Sequence, residues 1–228
     1  MAPSQKPIGC NSCPLLSSGV GFAYDEVVDN PEVIFIGEAL GETEAKTGKP
    51  FQGPAGFVMR SWLVRSVTQL QLLYERKKIY IGNTLRCMPP KNSQGRAYPS
   101  GKERLEAEAC CRQYDEWQKT SAKTVVLFGE VPQRAFFSAE LEREDATDRS
   151  LGRSAKGVMG RVGRVYEKAG RRWIFAPHPA FILRQPMLVT HGVEALKIAV
   201  GTTYVEPQTV PWQEAVQELM MQCVEVIA

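Results

Sequence analysis

No run of apolar residues approaches the ~20 needed to cross a bilayer, so a membrane-spanning helix is not expected. No apolar core follows Met1-Ala2-Pro3-Ser4, which argues against a secretory leader and for a reducing, cytoplasmic setting. Charge of one sign is scarce as well. A formal net charge of +3 leaves no global basic field to advertise nucleic acid. The clusters Arg149, Arg153, Lys156, Arg161, Arg164 and then Arg171, Arg172 read as solvated faces. Nucleotide-binding fingerprints are missing. There is no GxGxxG, six residues rather than four separate Gly41 from Gly48, and Pro50 follows Lys49 where a P-loop needs Ser or Thr. Histidine is limited to His178 and His191. Internal repeats and low-complexity tracts are absent too.

Cysteine is present in a telling arrangement. Cys10-Asn11-Ser12-Cys13 is a CxxC, and Cys87 and Cys111 lie far along the chain. In a reducing compartment such cysteines favour metal over disulfides. Four thiolates complete a tetrahedral zinc site or hold a cubane iron–sulfur cluster. Either would pin the N-terminal segment to a distant loop. Cys110 competes with Cys111 for the fourth place, and Cys223 reads as a free or buried thiol.

Four apolar β-rich runs recur: Val33-Ile34-Phe35-Ile36, Ile79-Tyr80-Ile81, Val125-Val126-Leu127-Phe128 and Trp173-Ile174-Phe175. They are nearly continuous rather than alternating, as strands buried on both faces are. Residues 56–73 and 103–117 carry apolar positions at helical spacing. This alternation predicts one α/β domain over residues 1–228, with a core at about 8–200. Its architecture is three-layer α/β/α with a central, mainly parallel four-stranded sheet. Residues 92–101 read as a loop, 138–155 as a charged, exposed insertion and 205–228 as a C-terminal helical extension. The helix at 212–227 either caps the fold or docks a protein partner. The strands exit through Gly37-Glu38, Gly82-Asn83, Gly129-Glu130 and Pro177-His178-Pro179, so polar groups and glycines converge where an open α/β sheet binds its ligand.

Four segments, in order, resemble the iron–sulfur (family 4) uracil-DNA glycosylases. They are Gly37 through Gly56 (GEALGETEAKTGKPFQGPAG), Asn83 through Asn92 (NTLRCMPPKN), Cys111-Arg112-Gln113-Tyr114, and His178-Pro179-Ala180-Phe181-Ile182-Leu183-Arg184. The resemblance implies a monofunctional DNA glycosylase. Such an enzyme flips uracil out of DNA, hydrolyses its N-glycosidic bond and leaves an abasic site. It also implies a 4Fe–4S cluster on Cys10, Cys13, Cys87 and Cys111, with Cys111 favoured because the next three residues continue the family's pattern. Uracil-containing DNA is the implied partner of a nucleoid-associated monomer.

The residue roles carried over make chemical sense. Phe51 matches the aromatic that stacks on a flipped base, and Asn83 the amide that reads uracil through one donor and one acceptor. Ala39 and Gly41 line the same pocket. His178 matches the histidine that stabilises the departing uracil anion. Glu38, Glu42 and Glu44 are the candidates for holding the attacking water or steadying the cationic sugar. Ile182 and Leu183 stand where related enzymes carry an apolar wedge, and Arg184, Lys49 and Arg86 are candidate phosphate contacts.

The chain departs from the family at Leu40 (Pro there), Ala45 (Asp), Gln52 (Val) and Met88 (Arg), and by a longer segment between Cys87 and Cys111 around Gln94-Gly95-Arg96-Ala97-Tyr98. These departures leave two alternatives: a glycosylase for another modified pyrimidine, and a catalytically silent DNA-binding or scaffold relative. The joint presence of Phe51, Asn83 and His178 argues against the second.

Overall fold

Strands β1 (Val33–Gly37), β2 (Ile79–Asn83) and β3 (Thr124–Phe128) are buried along their whole length. Strands covered on both faces need no polar alternation, which is why they read as continuous apolar runs. In this computed structural model they join β4 (Val165–Lys168) and β5 (Arg171–Ala176) in one sheet, ordered β2-β1-β3-β5-β4. Three of the four pairings are parallel, and β4 runs antiparallel on β5. The structure describes residues 6–66, 68–91, 99, 101–154, 157–201, 211, 213–217 and 220.

The helices are α1 (Glu42–Thr47), α2 (Pro54–Ser66), α3 (Thr68–Glu75), α4 (Gly101–Arg112), α5 (Glu130–Ser150), α6 (Pro179–Arg184) and α7 (Val189–Lys197). Alternate strand residues feed two cores. Val33, Phe35, Val126, Phe128 and Ile174 face Met59, Trp62 and Leu63 of α2 and Leu196 of α7. Ile34, Ile36, Val125, Leu127 and Phe175 face Phe137 and Leu141 of α5, with Trp117. Phe35 and Phe128 meet edge to face at 5.2 Å. Burying each such ring contributes about 1.5–3 kcal/mol. β1 has β2 on one side and β3 on the other, so the strand order reverses there. The carboxyl ends of these strands border the resulting crevice.

Several expectations need correction. The sheet has five strands rather than four, because the short β4 is mostly exposed and carries no apolar run. The helical spacing over 56–73 falls on two helices, α2 and α3. Residues 138–150 are no insertion. They continue α5, whose Phe137 and Leu141 are core residues. Arg161 is no solvated charge either, being 1% exposed and paired with Asp145. Most of the 92–101 loop, Cys223 and most of the C-terminal extension lie outside the described residues.

Arg86 is also 1% exposed, which removes it from the candidate phosphate contacts. Its Nη2 reaches Asp25 Oδ2 at 2.5 Å and Asp115 Oδ1 at 3.0 Å, and donates to the Tyr114 carbonyl. Its Nη1 donates to the Cys111 carbonyl at 3.0 Å. Removing one partner of a buried ion pair strands the other. Arg86→Leu is therefore expected to lower unfolding free energy by about 3–5 kcal/mol, read as a shifted urea midpoint with an unchanged slope. An unchanged midpoint would show that Asp25 and Asp115 do not depend on this guanidinium.

Candidate functional site

A cleft of ≈ 920 Å³ opens at the carboxyl ends of the strands. Its lining includes Glu38, Ala39, Leu40, Gly41, Phe51, Asn83, His178, Leu183 and Arg184, drawn from three of the four expected strand exits; Gly129 and Glu130 do not line it. Sheet register does part of this work. Gly37 and Asn83 end neighbouring strands directly opposite each other. Gly37 has to lack a side chain: a Cβ there would lie 2.5 Å from both Asn83 Oδ1 and the Phe51 ring. Phe51 is buried, with its ring 6.3 Å from the His178 ring at an interplanar angle of 27°. One aromatic face and one amide thus meet on either side of a glycine.

His178 follows β5 and caps α6. Its Nδ1 accepts a hydrogen bond from the Ala180 backbone N–H at 3.1 Å, with Pro179 starting the helix. An accepting Nδ1 carries no proton, so the neutral ring has its N–H at Nε2. Enclosure in the cleft pushes the imidazole down from 6.5 to about 4, and the nearby Arg184 pushes the same way. Near pH 7 the ring is therefore a neutral donor rather than a cation.

The three acids are placed very differently. Glu44 is buried, and its carboxylate accepts from Gly53 N at 2.7 Å and Gly41 N at 3.1 Å. It ties the end of the loop that carries Phe51 to the residue just before α1. Glu42 stands exposed, 3.9 Å from Lys91. Glu38 is half-buried in the cleft. Burial raises its carboxyl, with Arg184 opposing and Glu130 reinforcing the shift.

At the rim, Leu183 lines the cleft and Arg184 is exposed beside it, as is Lys49 on the loop before Phe51. Ile182 is fully buried in the α2-side core, so it does not reach the surface and only Leu183 of the expected wedge remains. Gln52 does not line the cleft; its amide donates to the Pro50 carbonyl at 3.1 Å. Ala45 sits against Gly21. Of the departures in the pocket motif, only Leu40 faces the cleft. Sequence reading missed Arg60, whose Nη1 donates to the Phe51 carbonyl at 2.7 Å. An arginine within an amphipathic helix gives no sign of such a contact.

The thiols lie outside the cleft lining, in and around a small core beside the 83–87 segment. Cys87 and Cys111 are buried in one small core with Leu15 and Leu85, and Cys13 packs against it. Cys10 is buried in the adjoining turn. Burial pushes Cys87 up to about 11 and Cys111 up to about 12, and neighbouring thiols push each the same way. Cys111 Sγ accepts from the Arg86 N–H at 3.5 Å. Cys110 stays partly exposed, with its sulfur 3.8 Å from Ser12 Oγ. Among the described residues no three ligating side chains close around a single ion. A cubane takes one thiolate at each of four separate irons, and four converging thiols in an apolar shell suit that donor set.

The imidazole geometry has a direct test. The long-range ¹H–¹⁵N spectrum of His178 is expected to show an unprotonated Nδ1 and a protonated Nε2, unchanged between pH 8 and pH 5. Because its folded value lies below the unfolded one, this group contributes no stability change above pH 6.5, and lowers stability progressively as pH falls toward about 4. Titration of His178 near 6.5 would overturn the neutral-donor assignment.

Known proteins agree with this layout. A model of the Uracil DNA glycosylase superfamily matches residues 24–198. The chain is similar to the Type-4 uracil-DNA glycosylase of Thermotoga maritima, 34% identical over 89 residues, covering 39% of this chain and 43% of the relative. It is also similar to that of Sulfurisphaera tokodaii, 33% identical over 88 residues, covering 39% and 38%. A longer match, 28% identical over 185 residues, covers 78% of this chain and 82% of the Type-4 uracil-DNA glycosylase of Pyrobaculum aerophilum. The first two alignments span about two fifths of each relative's length. With well over half of its length matched, in the segments that build the cleft, the chain belongs to the uracil-DNA glycosylase superfamily.

Proposed function

We propose that the chain is a monofunctional uracil-DNA glycosylase. The observation that carries this reading is the pairing of Phe51 and His178 across from Asn83, with a neutral imidazole whose Nε2–H is free to donate. A uracil turned into the cleft stacks on Phe51. The Asn83 amide offers an acceptor for N3–H and a donor for O4, whereas cytosine presents the opposite pattern.

As the N-glycosidic bond breaks, its electron pair moves onto the base and positive charge builds on the sugar. His178 Nε2–H donates to the uracil oxygen where the negative charge collects. A neutral donor suits this task, since the charge it answers appears only in the transition state. Glu38 is the acid free to hold the attacking water and face the cationic sugar, because the Glu44 oxygens are occupied by backbone amides and Glu42 stands at the rim. Water adds to the anomeric carbon, leaving free uracil and an abasic site. Leu183 fills the space left in the stack, while Arg184 and Lys49 meet phosphates. The departures in the pocket motif give little support to a different base, since of Leu40, Ala45 and Gln52 only Leu40 reaches the cleft.

Uracil release from a labelled oligonucleotide tests the reading; no release from single- or double-stranded substrate would overturn it. His178→Ala is expected to slow single-turnover excision by about 10²–10³. Binding to DNA carrying an uncleavable uracil analogue should change far less. If rate and binding fall together, His178 positions the base instead.

Cys10, Cys13, Cys87 and Cys111 would hold a 4Fe–4S cluster that fastens the N-terminal segment to the 83–87 segment and α4. None of the four thiols lines the cleft, which supports a structural duty. The purified protein should then contain iron and acid-labile sulfide and absorb broadly in the visible. Cys111→Ser should lower both iron content and solubility, with Cys110→Ser nearly silent. Stoichiometric zinc without iron would refute the cluster.

A further inference from the structure

Among the described residues, four non-glycine positions have a positive φ, and Phe51, at 52°, is the aromatic one. A bulky residue adopts that left-handed conformation only where its surroundings impose it. Two features do so here. The Phe51 carbonyl lies over the first turn of α2, where a Cβ on Gly56 would come within 1.8 Å of its oxygen. The same oxygen accepts the 2.7 Å hydrogen bond from Arg60 Nη1. Arg60 is aimed in turn by α3, because its Nε donates to the Tyr74 hydroxyl at 3.0 Å. Arg60 does not line the cleft, so it does not touch a bound base.

Taking Phe51 as the stacking platform proposed above, we infer that Arg60 is a positioning residue: its guanidinium, oriented by Tyr74, locks the left-handed Phe51 backbone so that the ring stands in its stacking attitude before a base arrives. The function of the lock is preorganisation. Without it, the ordering of the 48–53 loop falls on the step that captures the flipped base.

Arg60→Met keeps the aliphatic stem and removes the donors. Single-turnover uracil excision is expected to fall about tenfold, the scale of one charge-assisted hydrogen bond. Arg60→Lys should restore most of it, since an ammonium can still reach the carbonyl. In a Phe51→Ala background the same Arg60→Met change should cost less than about twofold, because no ring is left to position. Equal losses in both backgrounds would make Arg60 merely structural and overturn the inference. A second readout needs no substrate. Amide exchange at Gln52, Gly53, Ala55, Gly56 and Phe57 should quicken in Arg60→Met while β1, β2 and β3 keep their protection. Unchanged exchange there overturns the lock whatever the activity. If exchange responds but the wild-type chain releases no uracil, the excision reading fails and the Arg60 lock stands.

Discussion

Arg86 carries its charge into a place where 1% of its surface meets solvent, and the segments around it are arranged to make that tolerable. Desolvating a guanidinium and two carboxylates costs several kcal/mol per ion, so each must find its partners. Asp25 comes from the N-terminal arm, which also bridges Glu26 to Ile81 of β2. Asp115 and the Tyr114 carbonyl come from the turn after α4. The Tyr80 hydroxyl of β2 closes the network on Asp25 at 2.6 Å. One side chain thereby joins the arm, the end of β2 and the end of α4, the three segments that supply or adjoin the four thiols. These contacts also fix the backbone three residues beyond Asn83.

The sheet and the cleft were legible because their signals are local. Continuous apolar runs announce buried parallel strands, and the residues after such strands announce the site, so Asn83 and His178 could be placed from position alone. What was not legible is pairwise. Nothing in the 83–92 segment distinguishes an arginine that meets phosphate from one buried between two aspartates 61 and 29 residues away in sequence. Ile182 and Leu183 are equally apolar neighbours. Only the rotation of a six-residue helix decides that one faces the core and the other the cleft. The charged stretch of α5 misled for a related reason. Its acids answer arginines in the segment just before β4, Glu144 meeting Arg164 and Asp145 meeting Arg161, so a run that reads as solvated is half a tertiary interface.

The cleft sets two kinds of support against each other. Asn83 is the last residue of β2, an edge strand paired with β1 along its whole length, and sheet hydrogen bonds hold its backbone. Phe51 sits on a loop in a conformation that an L-residue resists, and depends on Glu44 at the loop's end, Gly56 beneath it and Arg60 beside it. That division suits the chemistry proposed. Telling uracil from cytosine depends on the direction of two hydrogen bonds, so the reader has to be fixed within a fraction of an ångström. Stacking tolerates small displacements, so the platform can sit on a loop, provided something restrains the loop.

The histidine completes this logic through its own backbone. A cationic imidazole would pair with the negative charge of the departing base, but it would also attract every phosphate and carboxylate that entered the cleft. Capping α6 with Nδ1 commits the proton to Nε2, and enclosure keeps the ring neutral. Arg184, five residues after Pro179 at the end of the same short helix, pushes in the same direction. The cation at the rim that would meet DNA thus also discourages a second proton on the ring. In the reaction proposed, charge for holding the polyanion and polarity for the leaving group would be separated over six residues, and that separation would let the donor act selectively on charge that develops during bond breaking.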